Sequence, residues 1–327
     1  MCVFCNQRTI SGKSEFRAES IRDEIDEVLS TVEPGDECEI AFFGGSFTGI
    51  EPSLMISLLD IAEEYVTLGR VKSIRLSTRP DYINEQIIGV LKRYSVKTVE
   101  LGLQSAKDEV LRLTKRGHLF DDEVKACRML VDAGFDLVGQ MMIGLPGSNI
   151  DDELETAKFI ASVGACSARI YPTVVFKDTE LYGMCLHGEY APLELEDAVE
   201  RSALVYDYFL RSGVKVIRVG LCASENLRAE DTYYGGPNHS ALGELVEGRV
   251  MLKRMIEAID GHKSIPTESL HIEVGRGFLS RAIGQKRTNK EYIKVKYKLK
   301  WVKISENENL SDFQIKILGE EDNRECT

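Results

Sequence analysis

The chain has 327 residues, a net charge of −12 at pH 7, and 43% hydrophobic and 29% charged residues. This composition excludes a fibrous or intrinsically disordered chain, and the length suffices for one large domain or for one large and one small domain. No apolar run approaches the roughly 20 residues that cross a bilayer, so no membrane association is predicted. The eight scattered cysteines form no dense disulfide framework and predict a reduced, cytoplasmic setting.

In the first two thirds of the chain, short apolar runs alternate with stretches of helical periodicity. After a first amphipathic helix at 21–32, the pattern predicts strands at 40–43, 74–77, 99–103, 137–143, 168–175 and 214–219. Helices are predicted from Pro52, through 87–91 and 110–130, from Asp151, and over 195–210. Repeated strand, loop and helix units require parallel strands covered by helices. The predicted fold class is therefore α/β, as a barrel or as an open sheet.

A smaller C-terminal region is predicted from residue 226, which gives domains at 1–225 and 226–327. It begins with a glycine-rich loop at 233–239 and a long helix through 242–256. Residues 293–301 alternate apolar and lysine side chains, which predicts a β-strand with one face formed by Lys294, Lys296, Lys298 and Lys300. The segment from Arg276 to Lys303 contains ten Lys or Arg and one acid, a net charge of about +9. It is either a phosphate-binding surface or protection of a sheet edge.

Loops with distinctive side chains follow the carboxyl ends of four predicted strands. They are Gly44-Gly45, Thr78-Arg79, Gln104-Ser105 and Gly144-Leu145-Pro146-Gly147. In a barrel and in an open sheet alike, this edge carries the active site. Each loop also has a purely structural interpretation, because glycine pairs make tight turns and arginines such as Arg79 and Arg116 are commonly solvated. No single loop therefore indicates an active site, but their occurrence together in one chain favours one.

The N-terminal sequence Cys2-Val3-Phe4-Cys5 places two thiols three positions apart, so that both sulfurs can reach one metal ion. Such a pair suits zinc, an iron-sulfur cluster or a redox dithiol, and the spacing alone leaves these three open. Structural zinc and a cubane cluster both take more than two protein ligands. We therefore expect the natural chain to begin upstream of Met1.

The order of these motifs resembles the radical S-adenosylmethionine superfamily. The cysteine pair, with an aromatic residue before Cys5, is followed by Phe43-Gly44-Gly45, residues 99–105, Lys115-Arg116-Gly117-His118 and residues 144–147. The resemblance covers about residues 1 to 220. Within the superfamily the chain most resembles the radical domain of the elongator catalytic subunit, a tRNA-modifying enzyme, and more distantly oxygen-independent coproporphyrinogen III oxidase.

This resemblance implies a partial (β/α) barrel without its first strand, and a 4Fe-4S cluster with Cys2 and Cys5 among its ligands. Reductive cleavage of S-adenosylmethionine at the cluster would yield a deoxyadenosyl radical, with a reductant protein as electron donor. The implied cofactor contacts are Gly44 and Gly45 by the methionine amino group, Gln104 and Arg116 by the ribose and carboxylate, and Gly144, Pro146 and Gly147 along the adenine. Thr78 and Arg79 complete the expected cofactor site.

Three departures from the superfamily pattern are visible. The first cluster cysteine would lie four residues before Cys2, Ser46 and Ser77 stand where acids are common, and 327 residues leave no room for the acetyltransferase domain of the elongator subunit. A noncatalytic barrel that binds a partner, and an oxidoreductase that uses the Cys2 and Cys5 dithiol, stay open as alternatives. The basic segment and the resemblance favour tRNA as substrate, and a small molecule or peptide remains an alternative.

Overall fold

The computed structural model describes residues 2–5, 20–33, 36–221, 232–262 and 268–318 of the chain. The chain divides into two compact units: the first comprises Met1–Ala198 and Tyr208–Asn238, and the second comprises Val199–Asp207 and His239–Thr327. The domain boundary expected at 225/226 lies outside the described residues. Within the described ranges, no helix is both long and apolar enough to cross a membrane.

A six-stranded parallel sheet, curled into a half-barrel, forms the centre of the first unit. Its order is β1-β2-β3-β4-β5-β7, and β6 pairs outside it with the antiparallel strand β8. The bounds are β1 (Glu39–Phe42), β2 (Ser73–Thr78), β3 (Val96–Gln104), β4 (Asp136–Ile143), β5 (Ser167–Pro172), β6 (Val175–Phe176), β7 (Lys215–Val219) and β8 (Tyr233–Gly235). The α/β class and the partial barrel are confirmed, and the strand expected at 168–175 is divided between β5 and β6.

Helices alternate with these strands along the chain and begin at residues suited to helix starts. They are α1 (Ile21–Leu29), α2 (Pro52–Thr67), α3 (Glu85–Leu91), α4 (Asp108–Leu113), α5 (Phe120–Asp132), α6 (Ile150–Ser162), α7 (Glu180–Leu186) and α8 (Leu195–Arg211). Glu51 accepts a hydrogen bond from the Leu54 amide at the start of α2, where Pro52 needs no amide partner. Asn149 caps α6 by accepting from two amides of its first turn.

The two faces of the sheet have different side chains because residues of a strand alternate in direction. On β3, Leu101 and Leu103 are fully buried in the core with side chains of the flanking helices. A Cβ on Gly139 of β4 would meet Ile160 of α6, which identifies the odd-numbered positions of that strand as the helix-facing ones. The even-numbered positions of β3, from Glu100 to Gln104, therefore line the inside of the half-barrel.

The second unit is an α+β region, as expected. Its long helix, α9 (Leu242–Asp260), contributes buried Val246, Val250 and Met255. Its sheet has β9 (Ser269–Gly275) in the centre, with β10 (Trp301–Asn307) parallel and β11 (Ile315–Leu318) antiparallel to it. Two short helices, α10 (Leu279–Ile283) and α11 (Thr288–Lys296), lie between β9 and β10 in the chain.

The prediction of a lysine-faced strand at 293–301 is wrong. Residues 288–296 form α11 instead, and the next strand, β10, begins only at Trp301. In this helix Asn289 and Ile293, one turn apart, are buried, whereas Val295 is 75% exposed. Packing of one helical face thus overrides the alternating pattern, and lysine is a good helix former. Lys298, with φ of 55°, lies in the left-handed region just after the helix. The lysines consequently do not share one strand face.

Replacement of a fully buried leucine on the central strand tests this account of the core. Leu101→Ala should lower the free energy of unfolding by about 2–5 kcal/mol, because it removes buried methyl groups and leaves a cavity. Urea denaturation followed by circular dichroism measures the change. The matched control Leu68→Ala, at a side chain that is 71% exposed, should change it by less than about 0.5 kcal/mol. Equal losses in both variants would contradict the assignment of the core.

Candidate functional site

The cysteine pair lies on a tight turn that is anchored to the first unit. The Cys5 amide donates to the Cys2 carbonyl at 3.1 Å, which closes the turn. Val3 donates to the Thr114 carbonyl at 3.2 Å and accepts from the Leu181 amide at 2.8 Å. Its side chain is also buried against Val175 and Leu181. The turn is thereby fixed beside the loop after α4, with Cys2 buried and Cys5 partly exposed.

Arg116 connects this turn to the central strand. Its Nη1 donates to the Cys2 sulfur at 3.2 Å, and its Nη2 donates to the Gly102 carbonyl. The side chain is buried, and its Nε has no hydrogen-bond partner among the residues that the structure describes. This buried side chain therefore ties the N-terminal turn to the carboxyl end of β3.

Gln104 and Arg116 both lie against Gly102, where any Cβ would crowd both side chains. A Cβ at Gly102 would come within 2.8 Å of Gln104 Nε2 and 3.3 Å of Arg116 Nη2. Gln104 itself has φ of 72°, in the left-handed region that non-glycine residues rarely adopt. This strain lies at the carboxyl end of β3, where the pairing with β4 shifts register. Strain held by the surrounding structure is typical of functional positions.

Arg79 is fixed by two partners. It donates two hydrogen bonds to Asp81, from Nε at 2.9 Å and from Nη2 at 2.8 Å, and Nη2 also donates to the Arg116 carbonyl. The hydroxyl of neighbouring Thr78 is bound to the Thr48 hydroxyl at 2.6 Å. Both predicted residues thus lie at the carboxyl end of β2, with Arg79 linked directly to Arg116.

A chain of ionisable groups, of which His118 and Glu123 are buried, supports this pair of arginines. The imidazole of His118 lies between Asp81, at 3.5 Å from Nδ1, and Glu123, at 3.1 Å from Nε2. Burial alone would raise the pKa of Asp81, but hydrogen bonds with His118 and Arg79 hold it well below its usual range. Burial raises the pKa of Glu123 to about 7. Burial lowers the pKa of His118, but the hydrogen bonds to Asp81 and Glu123 outweigh it, so the net shift is upward.

The two glycine loops differ in their surroundings. Gly44 has φ of 100°, and a Cβ at Gly44 or Gly45 would have no described atom within 4 Å, so this backbone faces open space. Gly144 is enclosed: its amide donates to Glu153 at 2.7 Å, and its carbonyl accepts from the Tyr190 hydroxyl at 2.6 Å. Gly147, with φ of 77°, lies against Leu113. Pro146, between these two glycines, is buried.

Deeper inside the half-barrel, Glu100 joins three other strands. It is fully buried and accepts from Arg75 of β2 at 3.2 Å, Gln140 of β4 at 2.8 Å and Arg169 of β5 at 2.7 Å. A buried carboxylate with three donors is well satisfied. Arg169 also lies over the Phe43 ring at 5.1 Å. The inner face of the half-barrel therefore carries a cluster of hydrogen-bonded polar side chains around Glu100.

The contacts bring together Cys2, Arg79, Gln104 and Arg116, which were predicted from sequence. Among the residues that the structure describes, no contact joins Gly44, Gly45 or residues 144–147 to these four side chains. Sequence reasoning missed the buried acids Glu100, Glu123 and Glu153. Each was detectable, because each is an acid within an otherwise apolar strand or helix face, as with Glu123 beside Ala126, Cys127 and Leu130.

The donor set at the turn fits part of a thiolate-bound metal site. Cys2 and Cys5 lie on one turn and are in no disulfide, and Arg116 contacts the sulfur of Cys2. Thiolates are the ligands of iron-sulfur clusters and a common choice of zinc. Across the described ranges, no group of three or more His, Cys, Asp or Glu side chains could hold a metal ion. The described residues therefore supply two of the thiolates that such a site takes.

Comparison with known families gives two adjacent matches. A profile described as the Radical SAM superfamily matches residues 1–160, and one described as the Radical_SAM C-terminal domain matches residues 166–251. Together they include the cysteine turn, all six strands of the half-barrel and part of α9. Residues 252–327 lie outside both matches.

Curated relatives and a solved structure agree with these matches. The chain is 31% identical over 199 residues to the tRNA uridine(34) acetyltransferase of Methanocaldococcus infernus, covering 55% of this chain and 37% of that protein. It is 29% identical over 142 residues to human Elongator complex protein 3, covering 42% and 26%. The solved structure of the archaeal Methanocaldococcus infernus Elp3 with an N-terminal deletion superposes with a TM-score of 0.60 at 27% identity, covering 79% of this chain and 62% of that one. The chain spans well under half of the length of both curated relatives.

The buried pair His118 and Glu123 predicts a pH-dependent stability. Both pKa values are raised in the folded chain, so the folded state binds protons more tightly than the unfolded state. The stabilisation from this tighter proton binding is complete at a pH below the pKa that each group has in the unfolded chain. It is lost as the pH rises through the pKa of the group in the folded chain, which is about 7 for Glu123. The free energy of unfolding should therefore fall between about pH 5 and pH 8, and Glu123→Gln should flatten that fall.

Urea denaturation at intervals across this pH range measures the effect. The control is Glu109→Gln, which removes an exposed acid of α4 and should keep the slope of the unchanged protein. A slope in Glu123→Gln as steep as that of the control would contradict the role assigned to the pair.

Proposed function

The chain belongs to the radical S-adenosylmethionine superfamily, and on this premise we propose that it uses a 4Fe-4S cluster to cleave S-adenosylmethionine to a deoxyadenosyl radical. The observation that carries this proposal is the hydrogen bond from Arg116 to the sulfur of Cys2. It joins a cysteine turn to the carboxyl end of β3, the edge at which parallel α/β proteins carry their active sites. The cluster, when bound, supplies the electron for cleavage.

Cys2 and Cys5 are the proposed cluster ligands within this chain. Their turn is fixed by backbone hydrogen bonds to Thr114 and Leu181, which limits its movement and so preorganises both sulfurs. The Arg116 guanidinium donates a hydrogen bond to the Cys2 sulfur and so fixes the position of that sulfur. A separate reductant protein is the proposed electron donor.

The strand-end loops are the proposed cofactor contacts. Gly44 and Gly45, which face open space, leave backbone groups accessible to the methionine amino group. Gln104 and Arg116, side by side over Gly102, would face the ribose and the carboxylate. Gly144, Pro146 and Gly147 would border the adenine, with Glu153 holding the Gly144 amide in place. Together these residues orient the cofactor and exclude water from it.

Protein groups bind the Nε and Nη2 atoms of Arg79 and the hydroxyl of Thr78. Arg79 is bound to Asp81 and to the Arg116 carbonyl, so we assign it the task of fixing Arg116 beside the cofactor. The Thr78 hydroxyl is bound to Thr48, so Thr78 contributes through its backbone at the strand end. Both remain within the proposed cofactor site.

For the substrate we propose RNA, and tRNA in particular. Two relatives that are 31% and 36% identical to this chain over their aligned residues are tRNA uridine(34) acetyltransferases. The chain aligns with 37% and 25% of those proteins, so radical chemistry on tRNA is proposed here without acetyl transfer. The proposed location is the cytoplasm, a reducing compartment in which cysteines outside disulfides, such as Cys2 and Cys5, stay reduced.

Formation of deoxyadenosine tests the proposed chemistry. The protein is expressed with any in-frame codons that precede Met1, reconstituted anaerobically with iron and sulfide, and reduced with dithionite in the presence of S-adenosylmethionine. It should bind about four irons per chain and release deoxyadenosine. Cys5→Ala should abolish both, whereas Cys38→Ala, at a free thiol before β1, should abolish neither. Iron-free protein that forms no deoxyadenosine would favour the noncatalytic barrel instead.

A second prediction concerns the glycine beneath the two polar side chains. Gly102→Ala should displace Gln104 and Arg116, because its Cβ would lie 2.8 Å and 3.3 Å from their nitrogen atoms. Binding of S-adenosylmethionine to the reconstituted protein, measured by equilibrium dialysis, should weaken by at least about tenfold, or ~1.4 kcal/mol. Gly89→Ala is the matched control, since no described atom lies within 4 Å of that Cβ. Equal affinity of both variants would contradict the placement of the cofactor.

A further inference from the structure

The second unit carries a concentration of unpaired positive charge on α11 and on the turns at its two ends. Of the ten Lys and Arg between Arg276 and Lys303, three form ion pairs: Arg276 with Glu308, Arg281 with Glu247, and Lys300 with Glu268. Six others on this helix and its flanking turns form no ion pair with any described residue. They are Lys286, Arg287, Lys290, Lys294, Lys296 and Lys298, and we call them the basic surface.

Two large side chains lie exposed on the same helix as these cations. Tyr292 is 49% exposed and Val295 is 75% exposed. At helical spacing, Lys290 and Lys294 flank one side of the exposed face and Tyr292 and Lys296 flank the other. An aromatic ring that is half exposed, with Lys296 one turn further along the helix, suits a planar, anionic partner.

The turns of the basic surface are held in unusual backbone conformations. Lys286, Arg287 and Lys298 have φ of 50°, 64° and 55°, although side chains strongly disfavour this region. The buried Asn289 anchors the first turn by donating to the carbonyls of Gly248 and Arg281 at 2.8 and 3.0 Å. Strain that persists because neighbouring contacts enforce it is a recurrent feature of binding sites. The cations are thus presented from a rigid base.

We propose that the basic surface is a docking site for a single-stranded segment of RNA, with the lysines and Arg287 on its phosphates and a base stacked on Tyr292. This proposal rests on the RNA substrate proposed above, and it adds the place on the chain at which that RNA binds. Charge complementarity supports it, because the chain as a whole carries −12 and a polyanion would be repelled elsewhere. The basic surface also lies outside residues 1–251, which the two family profiles match.

The chemistry of the exposed face favours RNA over an anionic membrane. Membrane-surface helices bury a continuous stripe of large apolar residues, whereas α11 exposes Tyr292 and Val295, and the acid Glu291 borders Val295 on the same face, one turn before it. A stacked base needs only one ring, and phosphates need dispersed cations. Glu291 would then be the one acid that repels the bound strand.

Affinity for a labelled RNA tests the proposal. The probes are a fluorescein-labelled tRNA transcript and a labelled single-stranded RNA, titrated with the full chain by fluorescence anisotropy at several salt concentrations. The triple variant Lys286→Glu, Lys294→Glu, Lys298→Glu should bind at least about tenfold more weakly and show a smaller salt dependence. The matched control is Lys92→Glu, Lys125→Glu, Lys158→Glu, three exposed lysines of the first unit, which should bind within about twofold of the unchanged protein.

Two single substitutions separate charge from stacking. Glu291→Gln should strengthen binding, because it removes the acid of the exposed face, and a structural defect would not produce a gain. Tyr292→Ala should weaken binding several-fold with an unchanged salt dependence, and Tyr292→Phe should retain it. Circular dichroism and the urea midpoint show whether each variant folds.

The outcomes distinguish this proposal from the cofactor chemistry. Equal RNA affinity of the charge-reversed triple variant and its control would overturn the docking site, while deoxyadenosine formed without RNA would leave the chemistry in place. Binding to vesicles of anionic phospholipid, with none to either RNA, would assign the surface to a membrane and overturn both the docking site and the RNA substrate.

Discussion

The contact between the Arg116 guanidinium and the Cys2 sulfur is the interaction on which the candidate site depends. Arg116 reaches the N-terminal turn with one nitrogen and the Gly102 carbonyl of the central strand with another. Its own carbonyl accepts from Arg79 of the neighbouring strand end. Through its side chain and its carbonyl, Arg116 thus joins the N-terminal turn, β3 and the end of β2. It can do so because parallel strands bring their carboxyl ends to one edge of a sheet.

Buried carboxylates maintain the geometry around this edge. Glu153 holds the Gly144 amide, Glu123 supports His118 behind the arginines, and Glu100 connects Arg75 and Arg169 inside the half-barrel. Burial of an acid is costly unless donors satisfy it, so each of these residues fixes the groups that surround it. The site is consequently built from strand-end loops at its surface and from a polar framework beneath them.

Local sequence patterns predicted most strands and helices of the first unit, but few of the contacts between residues that are distant in sequence. Hydrophobic periodicity located the six parallel strands, and the loops after them carried Arg79, Gln104 and Gly144. The pairing of Arg116 with Cys2 joins residues 114 positions apart and has no local signal. In the second unit the alternating pattern at 293–301 misled, since burial of Asn289 and Ile293 on one face favours a helix, which leaves Val295 exposed. Tertiary packing, which local pattern does not contain, decided both cases.

The central claim is that the thiol turn and the strand-end loops hold a cluster to which S-adenosylmethionine binds directly. Electron paramagnetic resonance of the reconstituted, reduced protein, recorded before and after addition of S-adenosylmethionine, tests this claim most directly. The account predicts the signal of a reduced 4Fe-4S cluster whose g values shift when the cofactor is added. A cluster signal that the cofactor leaves unchanged, or no cluster signal while both thiols are intact, would contradict it.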